Sequence, residues 1–138
     1  MKIVIDIIDT YAWIELLIGS ERGNKVKELM ENAEEVYTPS TVLAETARKF
    51  LREGTDEKTI NTWLEIITAT SVITQIDSAT ALEAAKCQLE LAKKAKISKQ
   101  NTPSLFDAIV HATARINQCK IITGDEHFKN LPETIWIE

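Results

Sequence analysis

The chain is poor in the residues that break or staple a fold. Four glycines and three prolines among 138 residues exclude collagen-like and low-complexity classes. Two cysteines, Cys87 and Cys119, are too few for a disulfide framework and stand in no CxxC or Cys/His spacing. Both read as small buried hydrophobes rather than as metal or redox groups. Aromatics make up only 6%, and Tyr11, Trp13 and Trp63 are assigned to the core or an interface rather than to base stacking. No apolar run reaches 18 residues, so no membrane-spanning segment is expected. Residues 3–8 are too short for a signal-peptide core and no small-residue cleavage site follows them, so a cytoplasmic chain is expected. Positive charge is also short: 16 Lys and Arg against 21 Asp and Glu give a net charge of −5. That balance argues against nucleic-acid binding by bulk electrostatics.

What is present is an ordinary globular composition, 44% apolar and 27% charged, at a length that suits one domain over residues 1–138. The opening segment KIVIDIIDTYAWIELLI begins as an apolar strand over 3–8, breaks at Asp9-Thr10, and resumes with helical spacing through Tyr11, Ile14, Leu17 and Ile18. A second helix is expected over 21–32, a second strand over 35–38, and a helix over 40–53 after Pro39. The next helix starts at Thr55 or Asp56 and carries Ile60, Trp63, Leu64 and Ile67. A third strand is expected over 71–76, followed by a long helix over 79–96 with Leu82, Ala85, Leu89 and Ala92 as its inner stripe. The stretch 97–102 is the most loop-like. A helix over 104–117, a strand over 120–123, one turn at 125–128 and a last strand over 134–137 complete the chain. Strands alternating with helices predict an α/β fold, three layers deep, with a central parallel sheet covered on both faces.

With 21 acids, position is what informs. Asp9 stands where a buried strand hands over to a helix, and ligands of open α/β sheets gather at the carboxyl ends of the strands. Asp125 follows the strand KIIT, Asp107 lies in the first turns of a helix, and Glu45 lies within an apolar helical face. Taken singly, each has a structural reading: Asp9 and Asp125 as helix caps, Asp107 at the favourable end of a helix dipole, Glu45 as a partly exposed side chain. Taken together, four unpaired carboxylates around one cleft repel one another, and a divalent cation relieves that.

Four segments, IIDTYAWIELL (7–17), PSTVLAETAR (39–48), SLFDAIVHATAR (104–115) and IITGDEHFKNL (121–131), occur in the order and spacing of the PIN domain family. The chain resembles the small stand-alone members that act as toxins of VapBC-type toxin–antitoxin pairs. The resemblance implies a Rossmann-like α/β/α fold, metal-dependent endoribonuclease activity, an RNA substrate, a small antitoxin partner and a homodimer. It places the acidic cluster on Asp9, Glu45, Asp107 and Asp125, with Asp9, Asp107 and Asp125 holding Mg²⁺ or Mn²⁺ and Thr123 supporting the site. Thr10 is a further candidate to support the ligands or to cap its helix. Arg48 and Arg52, one turn apart, are the candidates for substrate phosphates.

Some residues fall outside the family pattern. Asp6, three residues before Asp9, is assigned to the exposed beginning of the first strand. His111, one turn after Asp107, is assigned to packing or the cleft rim ahead of a ligand role. His127 is expected to be exposed. Two rival folds fail on register: a haloacid-dehalogenase phosphatase needs Asp-x-Asp where this chain has Asp6-x-x-Asp9, and a receiver domain needs a Lys that the last strand lacks. The remaining alternative is a PIN-like module that binds RNA or protein without cutting.

Overall fold

In the computed structural model, which describes residues 4–138, five short strands form one parallel sheet: β1 (Ile5–Ile8), β2 (Glu35–Pro39), β3 (Val72–Thr74), β4 (Lys120–Thr123) and β5 (Thr134–Trp136). Ile3, expected to open β1, lies outside the described residues. Six helices connect the strands: α1 (Thr10–Ile18), α2 (Glu21–Asn32), α3 (Ser40–Arg52), α4 (Glu57–Thr70), α5 (Ser78–Ile97) and α6 (Leu105–Asn117).

Local chemistry sets most of the boundaries. The Asp9 carboxylate accepts from the Ala12 amide and starts α1, and Gly19, at φ 73°, ends it in a left-handed turn. Ser20 caps α2 and Asp77 caps α5. Ser104 and Asp107 form a reciprocal capping box at the start of α6. Gly23 sits where α2 crosses α1, and a Cβ there would lie 2.1 Å from the Glu15 carbonyl oxygen. Only glycine allows that approach.

The strand order is β3-β2-β1-β4-β5. Successive connections run outward from β1 to β2 and β3, then jump back across the sheet to β4. Right-handed crossovers therefore put α1–α4 on one face and α5–α6 on the other. This is the doubly wound, three-layer arrangement expected from the sequence, and its reversal point lies between β1 and β4. Ile7 and Ile8 pair in register with Ile121 and Ile122 across that line. All four are fully buried, and each contributes roughly 1.5–3 kcal/mol by leaving water. Trp13 is enclosed too and donates its indole N–H to the Thr38 hydroxyl at 3.0 Å. Trp63 packs on Phe50, with ring centroids 4.5 Å apart, joining α4 to α3.

Three expectations are corrected. The inner stripe of α5 is Thr80, Ala84, Cys87, Leu91 and Ala95, whereas Leu82 and Leu89 are 61% and 64% exposed. α5 packs on the neighbouring helix α6, and in a helix this rich in Ala and Leu the apolar period does not single out one face. Asp6 does stand at the beginning of β1, but it is buried there, not exposed. The third strand is only three residues long, because Asp77 caps α5 soon after it. Both cysteines are buried, as expected.

Candidate active site

The parallel sheet brings Asp9, at the end of β1, beside Thr123 and Asp125, at the end of β4. The Asp9 carboxylate is 3% exposed. One oxygen accepts from the Ala12 amide at 2.9 Å, and the other accepts from the Thr123 hydroxyl. The Thr123 hydroxyl in turn accepts from the Asp125 amide at 2.9 Å. One threonine thereby fixes both acids. Gly124 lies between them directly beneath the Tyr11 ring, and a Cβ there would come within 2.3 Å of that ring. Tyr11 packs against the core, as expected, and also borders the cleft.

Two helices supply the other acids. α6 runs back against the strands, so its N-terminus, with Asp107, reaches the same edge of the sheet. The Asp107 carboxylate accepts from the Ser104 amide at 3.2 Å. α3 presents Glu45, whose carboxylate accepts from the Thr10 hydroxyl at 2.8 Å; Asp9, not Thr10, caps α1. Asp9, Thr10, Tyr11, Ile14, Glu15, Glu45, Lys49, Asp107, Val110 and Asp125 line one cleft of about 400 Å³. The four acids named from sequence thus share a cavity. Lys49 stands at its wall and pairs with Glu53 at 2.8 Å. Arg48 is exposed and close enough to favour the charged form of Glu45. Arg52 is exposed on the next turn and does not line the cleft.

The electrostatics are those of crowded, poorly hydrated carboxylates. Burial, opposed by the two hydrogen bonds and reinforced by the charges of Asp125 and Asp107, pushes the Asp9 carboxyl up to about 7. Burial and the Asp125 charge raise Asp107, and burial with the charges of Asp107 and Asp125 raises Glu45. Among the described residues, none of the four makes an ion pair with lysine or arginine. Oxygen donors that repel one another and make no ion pair with lysine or arginine suit a hard divalent ion. The residues present fit such an ion.

His127 was expected to be exposed; it turns into the cluster instead. Its Nδ1 lies 3.4 Å from Asp107 and 3.3 Å from Asp125. Donor atoms of Asp107, Asp125 and His127 all lie within 4.8 Å of one another, whereas Asp9 and Glu45 fall outside that group. No sequence signal marks His127, because its orientation depends on a single 3-10 turn over Glu126–Phe128 and on the loop that carries Asn101. His111 is fully buried and edge-on to Phe128, with Nε2 3.7 Å from Glu133. It packs inside the fold, as favoured from sequence, and does not line the cleft.

The fold matches solved structures closely in shape though not in sequence. A DNA-bound VapBC from Salmonella typhimurium superposes with a TM-score of 0.73 at 17% identity, covering 99% of this chain and 100% of that one. VapBC2 from Rickettsia felis, bound to a promoter DNA fragment, gives 0.72 at 17% identity, over 96% and 97% of the two chains. VapC20 of Mycobacterium tuberculosis, a toxin that cleaves the sarcin-ricin loop, gives 0.68 at 19% identity, over 89% and 92%. No curated protein matches the sequence. The PIN domain matches residues 7–133, nearly the whole chain and all four acids, and the chain belongs to the PIN domain family.

Proposed function

We propose that the chain is a metal-dependent endoribonuclease that hydrolyses RNA phosphodiester bonds, as a single domain over 1–138, and is the toxin of a type II toxin–antitoxin pair. The observation that carries this is the convergence of Asp9, Glu45, Asp107 and Asp125 on one cleft at the reversal point of a PIN-family sheet. Asp9, Asp107 and Asp125 would hold Mg²⁺ or Mn²⁺. When bound, such an ion lowers the pKa of water and neutralises charge building on the phosphoryl oxygens.

The chain's own groups do the rest. Thr123 aligns Asp9 with Asp125, and Thr10 holds Glu45 so that its carboxylate orients the attacking water. Water adds to phosphorus and gives up one proton to solvent, the ester P–O bond breaks, and the departing oxygen takes a proton back from solvent. Arg48 and Arg52 on the exposed side of α3, with Lys49 at the wall, take up the flanking RNA phosphates. The toxin reading adds a small antitoxin that covers the acidic cleft, a homodimeric assembly and a cytoplasmic setting. Its support is the likeness in fold to VapBC proteins.

The test is cleavage of structured RNA by the purified chain with Mg²⁺ or Mn²⁺, beside Asp9→Asn, Glu45→Gln, Asp107→Asn and Asp125→Asn. Cleavage by the parent that chelator and the substitutions abolish supports the reading. Equal cleavage by the parent and all four variants overturns it. A parent that neither cuts nor gains thermal stability from Mn²⁺ is instead the non-cutting binding module. For the toxin role, growth arrest on expression should be relieved by co-expressing the neighbouring reading frame.

A further inference from the structure

Among the described residues, the tightest group of potential metal donors includes a nitrogen. His127 Nδ1 stands almost equally far from Asp107 Oδ2 and Asp125 Oδ1, at 3.4 and 3.3 Å. On its other side the ring meets the Asn101 backbone carbonyl, 2.8 Å from Nε2. A carbonyl only accepts, so Nε2 carries the ring proton. Nδ1, the nitrogen turned toward the two carboxylates, is then the free one in a neutral ring.

A histidine that donates one N–H to a backbone carbonyl and aims the other nitrogen at carboxylates has the wiring of a metal ligand. The spacing agrees. Donor atoms bonded at about 2.1 Å to one ion stand roughly 3.0 Å apart in octahedral and roughly 3.4 Å apart in tetrahedral coordination. The spacing of Nδ1 to the two oxygens, 3.4 and 3.3 Å, lies in that range, and all three donor atoms stand within 4.8 Å of one another.

Resting on the proposed metal site, we infer that His127 is a direct nitrogen ligand of that ion, joining Asp107 and Asp125 through Nδ1, and that this donor biases the site toward Mn²⁺ over Mg²⁺. Mg²⁺ holds water and carboxylate oxygen in preference to imidazole, whereas later divalent ions accept nitrogen more readily. Asn101 is then a positioning residue: its carbonyl fixes the tautomer without touching the ion. Neither His127 nor Asn101 belongs to the acidic set carried by the family resemblance.

The experiment is electron spin-echo spectroscopy of Mn²⁺ bound to the full chain and to His127→Ala, with calorimetric titration of Mn²⁺ and Mg²⁺ into both. Metal-free thermal melts serve as the folding control. The expected result is a ¹⁴N coupling in the parent that disappears in the variant. Mn²⁺ affinity should drop about tenfold or more, with a smaller loss for Mg²⁺. Mn²⁺ bound in the parent with no ¹⁴N coupling overturns the histidine ligand and leaves the carboxylate site standing. Equal Mn²⁺ and Mg²⁺ losses overturn the selectivity. Absence of saturable Mn²⁺ binding in the folded parent overturns both this inference and the metal site it rests on.

Discussion

Asp6 and Asp9 sit at opposite ends of β1 and are almost equally shut off from water, at 5% and 3% exposure. Burial raises both carboxyls. They differ in their neighbours. Asp6, at the amino edge of the sheet, pairs in register with Lys120, whose charge draws its carboxyl back down. Asp9, at the carboxyl edge, faces Asp125 and Asp107, whose charges push it further up. A buried acid is therefore a weak pointer to a site. A buried acid surrounded by other acids, with hydroxyls aligning it, is a strong one.

The largest expected effect tests this contrast through activity. Asp107→Asn or Asp9→Asn is expected to lower the rate of RNA cleavage by about 10²–10³-fold or more, while Asp6→Asn leaves it unchanged. A comparable loss in Asp6→Asn would erase the distinction between the two edges. Next in size, Thr123→Val removes the hydroxyl shared by Asp9 and the Asp125 amide. Mn²⁺ affinity is expected to fall about 10–100-fold in a calorimetric titration, with the fold intact by circular dichroism.

A third effect concerns pH. The Asp9 carboxyl is raised to about 7 from an unfolded value near 3.9. Between these values the folded state holds the extra proton, so stability falls as pH rises through the window. The metal-free chain is therefore expected to lose up to a few kcal/mol between about pH 4 and pH 7 in denaturant melts. Asp9→Asn should flatten that slope, and Mn²⁺ should offset it at the upper end. The smallest effect is at the other edge: Asp6→Asn is expected to change stability by about 1 kcal/mol or less and to leave Mn²⁺ stabilisation intact.

The sheet was legible because its strands are compact β-branched runs bounded by turn or capping residues. KIIT before Gly124 and EVYT before Pro39 leave little freedom in where β4 and β2 lie. The acids were legible because strand ends and helix starts are marked in sequence, at Asp9-Thr10 and Ser104–Asp107. The face of α5 was not legible. Its Ala and Leu residues spread around the helix, and the choice of Ala84 and Leu91 over Leu82 and Leu89 is made by close packing on α6. His127 escaped for a different reason. In a three-residue turn no periodicity assigns a face, and its ring is held by Asn101, 26 positions away in the chain. Residues placed by long-range loop contacts are those that local pattern misses.

The most direct measurement is anomalous diffraction from crystals of the chain soaked in Mn²⁺. One peak is expected in the cleft at about 2.0–2.6 Å from carboxylate oxygens of Asp107 and Asp125, lost in Asp107→Asn crystals. A cleft without a peak under saturating Mn²⁺, or a peak elsewhere on the molecule, would contradict that expectation.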